Sequence, residues 1–235
     1  MQIRTQSMVC GALLALAGAA GEASDLSYTF IDFEVLNQDI GVSGVLVPVP
    51  GQSVAVRTND GDGISVAGGV ALPRRFYLTG RFRSSVADVD ATITSPLTVV
   101  QATDEFDVVT SELAVGYQRE LAENFDVIAE IARETADFDF GSFVGENFDT
   151  KDSGVGARVG FRWNPQPALE VFASARFSPV GKPILSERRF DRDTLIATGV
   201  RWYFFEDLGL ALDYESGEVS TLTLAMRFSF GNLAW

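Results

Sequence analysis

Along most of this chain, apolar and polar residues change places at every second position. In VGFRWNPQPALEVFASARF, residues 159–177, Val159, Phe161 and Trp163 share one parity against Arg162. After NPQP the beat returns, with Leu169, Val171, Ala173, Ala175 and Phe177 set against Glu170, Ser174 and Arg176. A period of two marks β-strands whose faces meet different surroundings, but does not say which face meets water. The pattern predicts strands at 26–36, 63–72, 76–87, 107–119, 125–137, 153–163, 168–178, 194–204, 208–216 and 218–230. Most reach about ten residues, roughly twice the usual soluble strand and about what a tilted strand needs to cross a bilayer.

The connections alternate too. Pro73–Arg75, Glu120–Asn124, Asn164–Pro167 and Phe205–Asp207 are short, whereas 37–62, 88–106, 138–152 and 179–193 are long. Short turns therefore gather at one end and long loops at the other, as in barrels with periplasmic turns and extracellular loops. Within the strands, Phe76, Leu78 and Phe82 oppose Arg81 and Arg83, and Leu113, Val115 and Tyr117 oppose Glu112 and Gln118. Trp202 and Phe204 oppose Arg201, and Leu210, Leu212 and Tyr214 oppose Asp213 and Glu215. A soluble sandwich would alternate as well.

Three features separate the two readings. Phe76, Tyr77, Phe125, Trp163, Trp202, Tyr203 and Phe204 lie beside the short turns, where a membrane-interface girdle belongs. Gly and Ala are interleaved with charges on the polar face (Gly69, Ala114, Gly116, Ala132, Gly156, Gly199), which makes room for long side chains inside a narrow barrel. The ending LTLAMRFSF, 222–230, is apolar at every second position down to Phe230. In these respects the chain resembles the small outer-membrane β-barrels of the OmpA-transmembrane and OmpX type, in pattern rather than in a specific motif. The resemblance implies a closed antiparallel up-and-down transmembrane β-barrel in a Gram-negative outer membrane. It has ten strands, or eight if 208–218 is a loop, because such barrels have even counts. It also implies that Phe228 and Phe230 form the assembly signal read by the barrel assembly machinery. The extension GNLAW makes Trp235 the alternative end of that signal.

The N-terminus fits export. Arg4, an apolar run from Met8 to Ala20 and small residues to Ala23 have the layout of a secretory signal, so 1–23 is expected to be cleaved and 24–235 to form one barrel domain. Cys10 lies inside that signal, which leaves the mature chain without disulfides. The formal charge of -14 argues against nucleic acid, whose phosphates need clustered Lys and Arg. With no histidine and no mature cysteine, the usual serine or cysteine nucleophile has no base, so the chain reads as non-enzymatic and calls for no cofactor.

The expected lumen carries Arg81, Arg83, Arg158, Arg162, Arg176, Arg201 and Arg227 against Glu112, Glu130, Glu170, Asp213 and Glu215, with Asp32, Glu34 and Glu134 as further candidates. A barrel this narrow is close to filled by side chains, so the arginines are expected to cross-bridge and plug it. The expected function is envelope integrity or surface interaction by a monomer, and the alternative is a small passive pore. Asp88, Asp90, Asp104, Glu105 and Asp107, and Asp137, Asp139, Glu146, Asp149 and Asp152, make two connections acidic. They offer oxygen ligands for divalent cations bridging to lipopolysaccharide. Lys182, Arg188, Arg189 and Arg192 could meet lipid phosphates directly. TNDGDG, 58–63, reads as a turn entering the second strand.

Overall fold

The computed structural model describes residues 27–230 except 42, 47–50, 52, 140, 141, 144, 145, 148, 149, 182 and 185–188. The expected signal with Cys10, and Trp235, lie outside the described residues. So do the side chains of Glu146, Asp149, Lys182, Arg188 and Arg189. Ten antiparallel strands form the wall: β1 (Phe30–Asp39), β2 (Ser53–Ala71), β3 (Phe76–Thr94), β4 (Val99–Ala122), β5 (Phe125–Asp139), β6 (Thr150–Gln166), β7 (Leu169–Ser178), β8 (Asp193–Phe205), β9 (Leu208–Ser216) and β10 (Ser220–Ser229). Each pairs with its neighbours in the chain, and β1 pairs with both β2 (Phe30 opposite Gly69) and β10 (Phe30 opposite Ser229), which closes the ring. Closure gives the wall strands a hydrogen-bonded neighbour on each side, the condition for β-structure in hydrocarbon.

The faces follow the parity. Ile31, Phe33 and Val35 of β1, Leu113 and Val115 of β4, Ile131 of β5 and Leu222, Leu224 and Met226 of β10 are exposed on the outside. Asp32, Glu34, Glu130, Glu170 and Arg227 are buried inside. At the short-turn end the strands join through Leu72–Arg75, Glu123–Asn124, Pro167–Ala168 and Glu206–Asp207, and Asn124 takes φ 61, a left-handed conformation that asparagine tolerates.

Two expectations are corrected here. The stretch 88–106 is no loop. β3 runs on to Thr94 and β4 begins at Val99, leaving a tight turn in which Ser95 and Thr98 hydrogen-bond to one another. Likewise 53–62 belongs to β2, and TNDGDG is not a turn: the register against β3 slips between Thr58 and Gly61. This bulge moves the inward face from Val54, Val56 and Thr58 to Gly61 and Ser65, so one 19-residue strand keeps a usable inner face along its whole length. Gly63 is required by a close approach, since a Cβ there would stand 2.4 Å from the carbonyl oxygen of Ser84.

The extended strands build a second compartment. Beyond the outward apolar belt, the long-connection end packs Ile40, Val54, Val56, Val89, Phe106, Val108, Phe138 and Phe190 into one buried apolar cluster inside the ring. Val89 is 0% exposed and Ile40 1%, so these side chains are as fully withdrawn from water as those of a soluble core. Phe138 stacks near Phe106 at 6.1 Å between centroids and meets Phe190 edge-on at 5.0 Å.

Candidate functional site

The barrel interior below the cap gathers the expected lumen charges into two layers. Nearest the short turns, Arg227 donates two hydrogen bonds to Asp32, at 2.7 and 2.6 Å. Their side chains are neighbours because Asp32 lies directly opposite Arg227 in the β1–β10 register. Glu170, 0% exposed, accepts from Arg162 at 2.8 and 2.9 Å, from Arg201, and from the Tyr203 hydroxyl at 3.0 Å. A buried carboxylate with this many donors has its lone pairs satisfied, which is what makes its burial tolerable.

The chain entering β1 closes this layer from below. Ser27, Tyr28 and Thr29 are buried. Arg162 donates twice to the Ser27 carbonyl at 3.2 Å and stacks over the Tyr28 ring at 4.3 Å. Tyr28 packs on Tyr77 with centroids 4.7 Å apart and donates to Asp126 at 3.0 Å, while Tyr77 donates to Glu130 at 2.9 Å. Arg227 lies over Phe30 at 3.6 Å and Arg201 over Phe172 at 4.6 Å. These aromatic–guanidinium stacks let arginine bury its flat faces while its N–H edges reach carboxylates.

The second layer forms a waist. Arg158 donates to Glu130 at 2.5 Å and to both oxygens of Glu112 at 3.0 and 3.1 Å. Arg176 reaches Glu112 and Glu215, each at 2.9 Å, and Glu134 at 3.5 Å. Arg81 and Arg83 are held more loosely, to Glu34 at 3.3 Å and Glu215 at 3.4 Å, and the buried Nε of each has no partner. Arg81, Arg83, Glu112 and Glu215 line both a cavity of about 140 Å³ on the short-turn side and one of about 80 Å³ beneath the apolar cap. The structure thus brings together in one interior all twelve side chains expected there, with Asp32, Glu34 and Glu134.

The aromatics divide. Phe76, Trp163 and Phe204 are exposed on the outside near the short turns; Trp202 and Phe125 are half-buried there, with Trp202 on Phe204 at 4.6 Å and Phe125 on Phe161 at 5.5 Å. Tyr77 (1% exposed) and Tyr203 (3%) are not interface residues; both point inward and donate to lumen carboxylates. Their parity with Arg81 and Arg201 carried that signal. Tyr77 fits because Gly116 stands opposite it, where a Cβ would come within 2.1 Å of the ring. Sequence reading also missed Tyr28, Phe30, Asp126 and Phe172, which share inward parity with the charges it did find. Phe228 and Phe230 lie exposed at the end of β10.

Outside the cap, Asp88, Asp90, Asp104, Glu105, Asp107, Asp137, Asp139 and Asp152 stand on strands rather than on loops. Asp88 faces Glu105 across β3–β4, and Asp107 faces Asp139 across β4–β5. Asp90 accepts from Asn59 at 3.0 Å and Thr103 at 2.9 Å, hydrogen bonds that hold its carboxyl below the ordinary carboxylate range. Lys151 pairs with Asp137 at 2.6 Å on the surface. Among the described residues no group of three or more acidic side chains converges on a metal-sized site.

The chain matches no protein-family model and no curated protein. Solved structures similar to it include the translocator domain of the autotransporter NalP from Neisseria meningitidis, at 13% identity and TM-score 0.48, covering 96% of this chain and 96% of that one. The outer membrane protein OprG from Pseudomonas aeruginosa is 7% identical with TM-score 0.44, over 91% and 99%. Ail, the attachment invasion locus protein of Yersinia pestis, solved with the heparin analogue sucrose octasulfate, is 10% identical with TM-score 0.39, over 86% and 99%. Likenesses this distant leave the chain's own geometry as the basis for its function: a closed ten-stranded antiparallel barrel, apolar outside and charged within.

Proposed function

We propose that this chain is a closed, non-enzymatic, monomeric barrel of the Gram-negative outer membrane, serving envelope integrity or surface interaction through the part of the wall beyond the membrane. The observation that carries this reading is the stacked closure of the lumen: the Tyr28 layer, the Arg158–Glu112–Arg176 waist and the Val89–Phe138 cap. Ions crossing would have to break paired charges and then traverse an apolar constriction, which resists wetting. The short turns face the periplasm and the acidic extension faces outward, where Arg192, exposed, could meet lipopolysaccharide phosphates.

A small passive pore remains the second reading, favoured by the two cavities of about 140 and 80 Å³ that already hollow the lumen. Single-channel recording in planar bilayers decides between them. The closed barrel passes no steady current, and a wild-type protein that conducts steadily overturns it. Phe228 and Phe230 are proposed as the assembly signal. Removing Met226–Trp235 should leave the chain unfolded in the periplasm, whereas equal damage from removing only Gly231–Trp235 would transfer that role to Trp235.

A further inference from the structure

We infer that the larger lumen cavity binds a monovalent cation, held by Asp213. Nine carboxylates point into the charged lumen, and seven have an arginine within ion-pair distance: Asp32, Glu34, Glu112, Glu130, Glu134, Glu170 and Glu215. Asp126 has the Tyr28 hydroxyl. Asp213 alone has neither: its Oδ1 is buried without a hydrogen-bond partner, and no arginine pairs with it among the described residues. The seven lumen arginines are all committed elsewhere. Of the six lining the same cavity, Arg81 is bound to Glu34, Arg83 to Glu215, Arg158 to Glu112 and Glu130, Arg162 and Arg201 to Glu170, and Arg227 to Asp32. Of the four carboxylates lining this cavity, Glu112, Glu130 and Glu215 are paired and Asp213 is the one no arginine neutralises.

The setting suits a cation with its water. Asp213 lines a cavity of about 140 Å³, which at roughly 30 Å³ per water holds about five. Gly199 leaves room for the carboxylate, because a Cβ at that position would come within 2.5 Å of both Oδ1 and the Phe172 ring. A divalent ion would demand several carboxylates or a rigid oxygen cage. A single carboxylate in a roomy, hydrated cavity offers one charge and leaves water to complete the shell, which matches sodium, potassium or ammonium. The inference stands whether or not the lumen conducts, since a site can fill from one mouth.

Anything that binds only the folded state raises the unfolding midpoint with the logarithm of its concentration. Barrel folded in detergent should unfold at a higher temperature in potassium or sodium chloride than in N-methylglucamine chloride of equal ionic strength. Asp213→Asn should abolish that difference while unfolding no earlier than wild type in N-methylglucamine. No difference in the wild type, or the same difference in the variant, overturns the proposal. Should Asp213→Asn fail to fold, wild-type crystals grown in rubidium chloride decide. An anomalous peak against the Asp213 carboxylate supports the site, and a cavity without one overturns it.

Discussion

The wall of this barrel is built twice, with opposite polarity. In the belt, β3 turns Leu78 and Phe82 outward and Arg81 and Arg83 inward; a few residues on, the same strand turns Asp88 and Asp90 outward and Ala87, Val89 and Ala91 inward. β4 does the reverse walk, from Glu105 outside and Phe106 inside to Leu113 outside and Glu112 inside. The backbone ladder is continuous across the change, from Phe76 opposite Tyr117 to Thr94 opposite Val99. A β-wall is thus indifferent to which face is apolar; the surroundings set the sign. Against hydrocarbon, apolar groups go out and charges must find partners inside, whereas against water the ordinary core returns.

The two regions should fail differently. The largest effect is expected in the belt interior. Arg227→Ala leaves Asp32, buried with it, without its bidentate partner, at a cost of about 3–5 kcal/mol, read from urea unfolding of the barrel in micelles. Leu113→Arg on the outer face should cost roughly 2–4 kcal/mol if that position lies near the bilayer midplane; tolerance would mean that the belt is not in lipid. In the extension, Val89→Ala removes two buried carbons from the cap and should cost roughly 2 kcal/mol, with no hydrophobic penalty expected if the cap were loosely hydrated. The smallest effect belongs to the extension's outer face. Asp88→Ser relieves the like-charge pair with Glu105 and should stay within about 0.5 kcal/mol of wild type. A large loss there would mean that the acidic stem is held by something other than water. Together these four measurements map the level at which the wall changes sign.

Strand number, parity and the lumen charges were legible because each rests on a local rule, the alternation of faces. Phe76, Phe82, Arg81 and Arg83 can be placed from their spacing alone. The same rule holds where the surroundings change sign. ADVDATI, 87–93, alternates as cleanly as the belt does, but with its charges on the outer parity and Ala87, Val89 and Ala91 within, the reverse of the belt's pattern. Tyr77 and Tyr203 show that parity outranks residue type near a turn: both are aromatics at the short-turn end, yet they share the inward parity of Arg81 and Arg201 and donate to lumen carboxylates.

What the sequence determined by itself is therefore the barrel: ten alternating segments, the short turns at one end, and two opposed faces, all consequences of neighbours along one strand. It could not determine partners across the lumen. Arg176 is 64 residues from Glu112, and Tyr28 is 98 from Asp126; their meeting depends on how the ring closes and how the strands are staggered. Nor could it show that Asp213 is the lumen carboxylate without a partner among the described residues, because an inward carboxylate reads the same on a strand whether or not a guanidinium reaches it. Only ring closure decides which charges are shared out and which is left over.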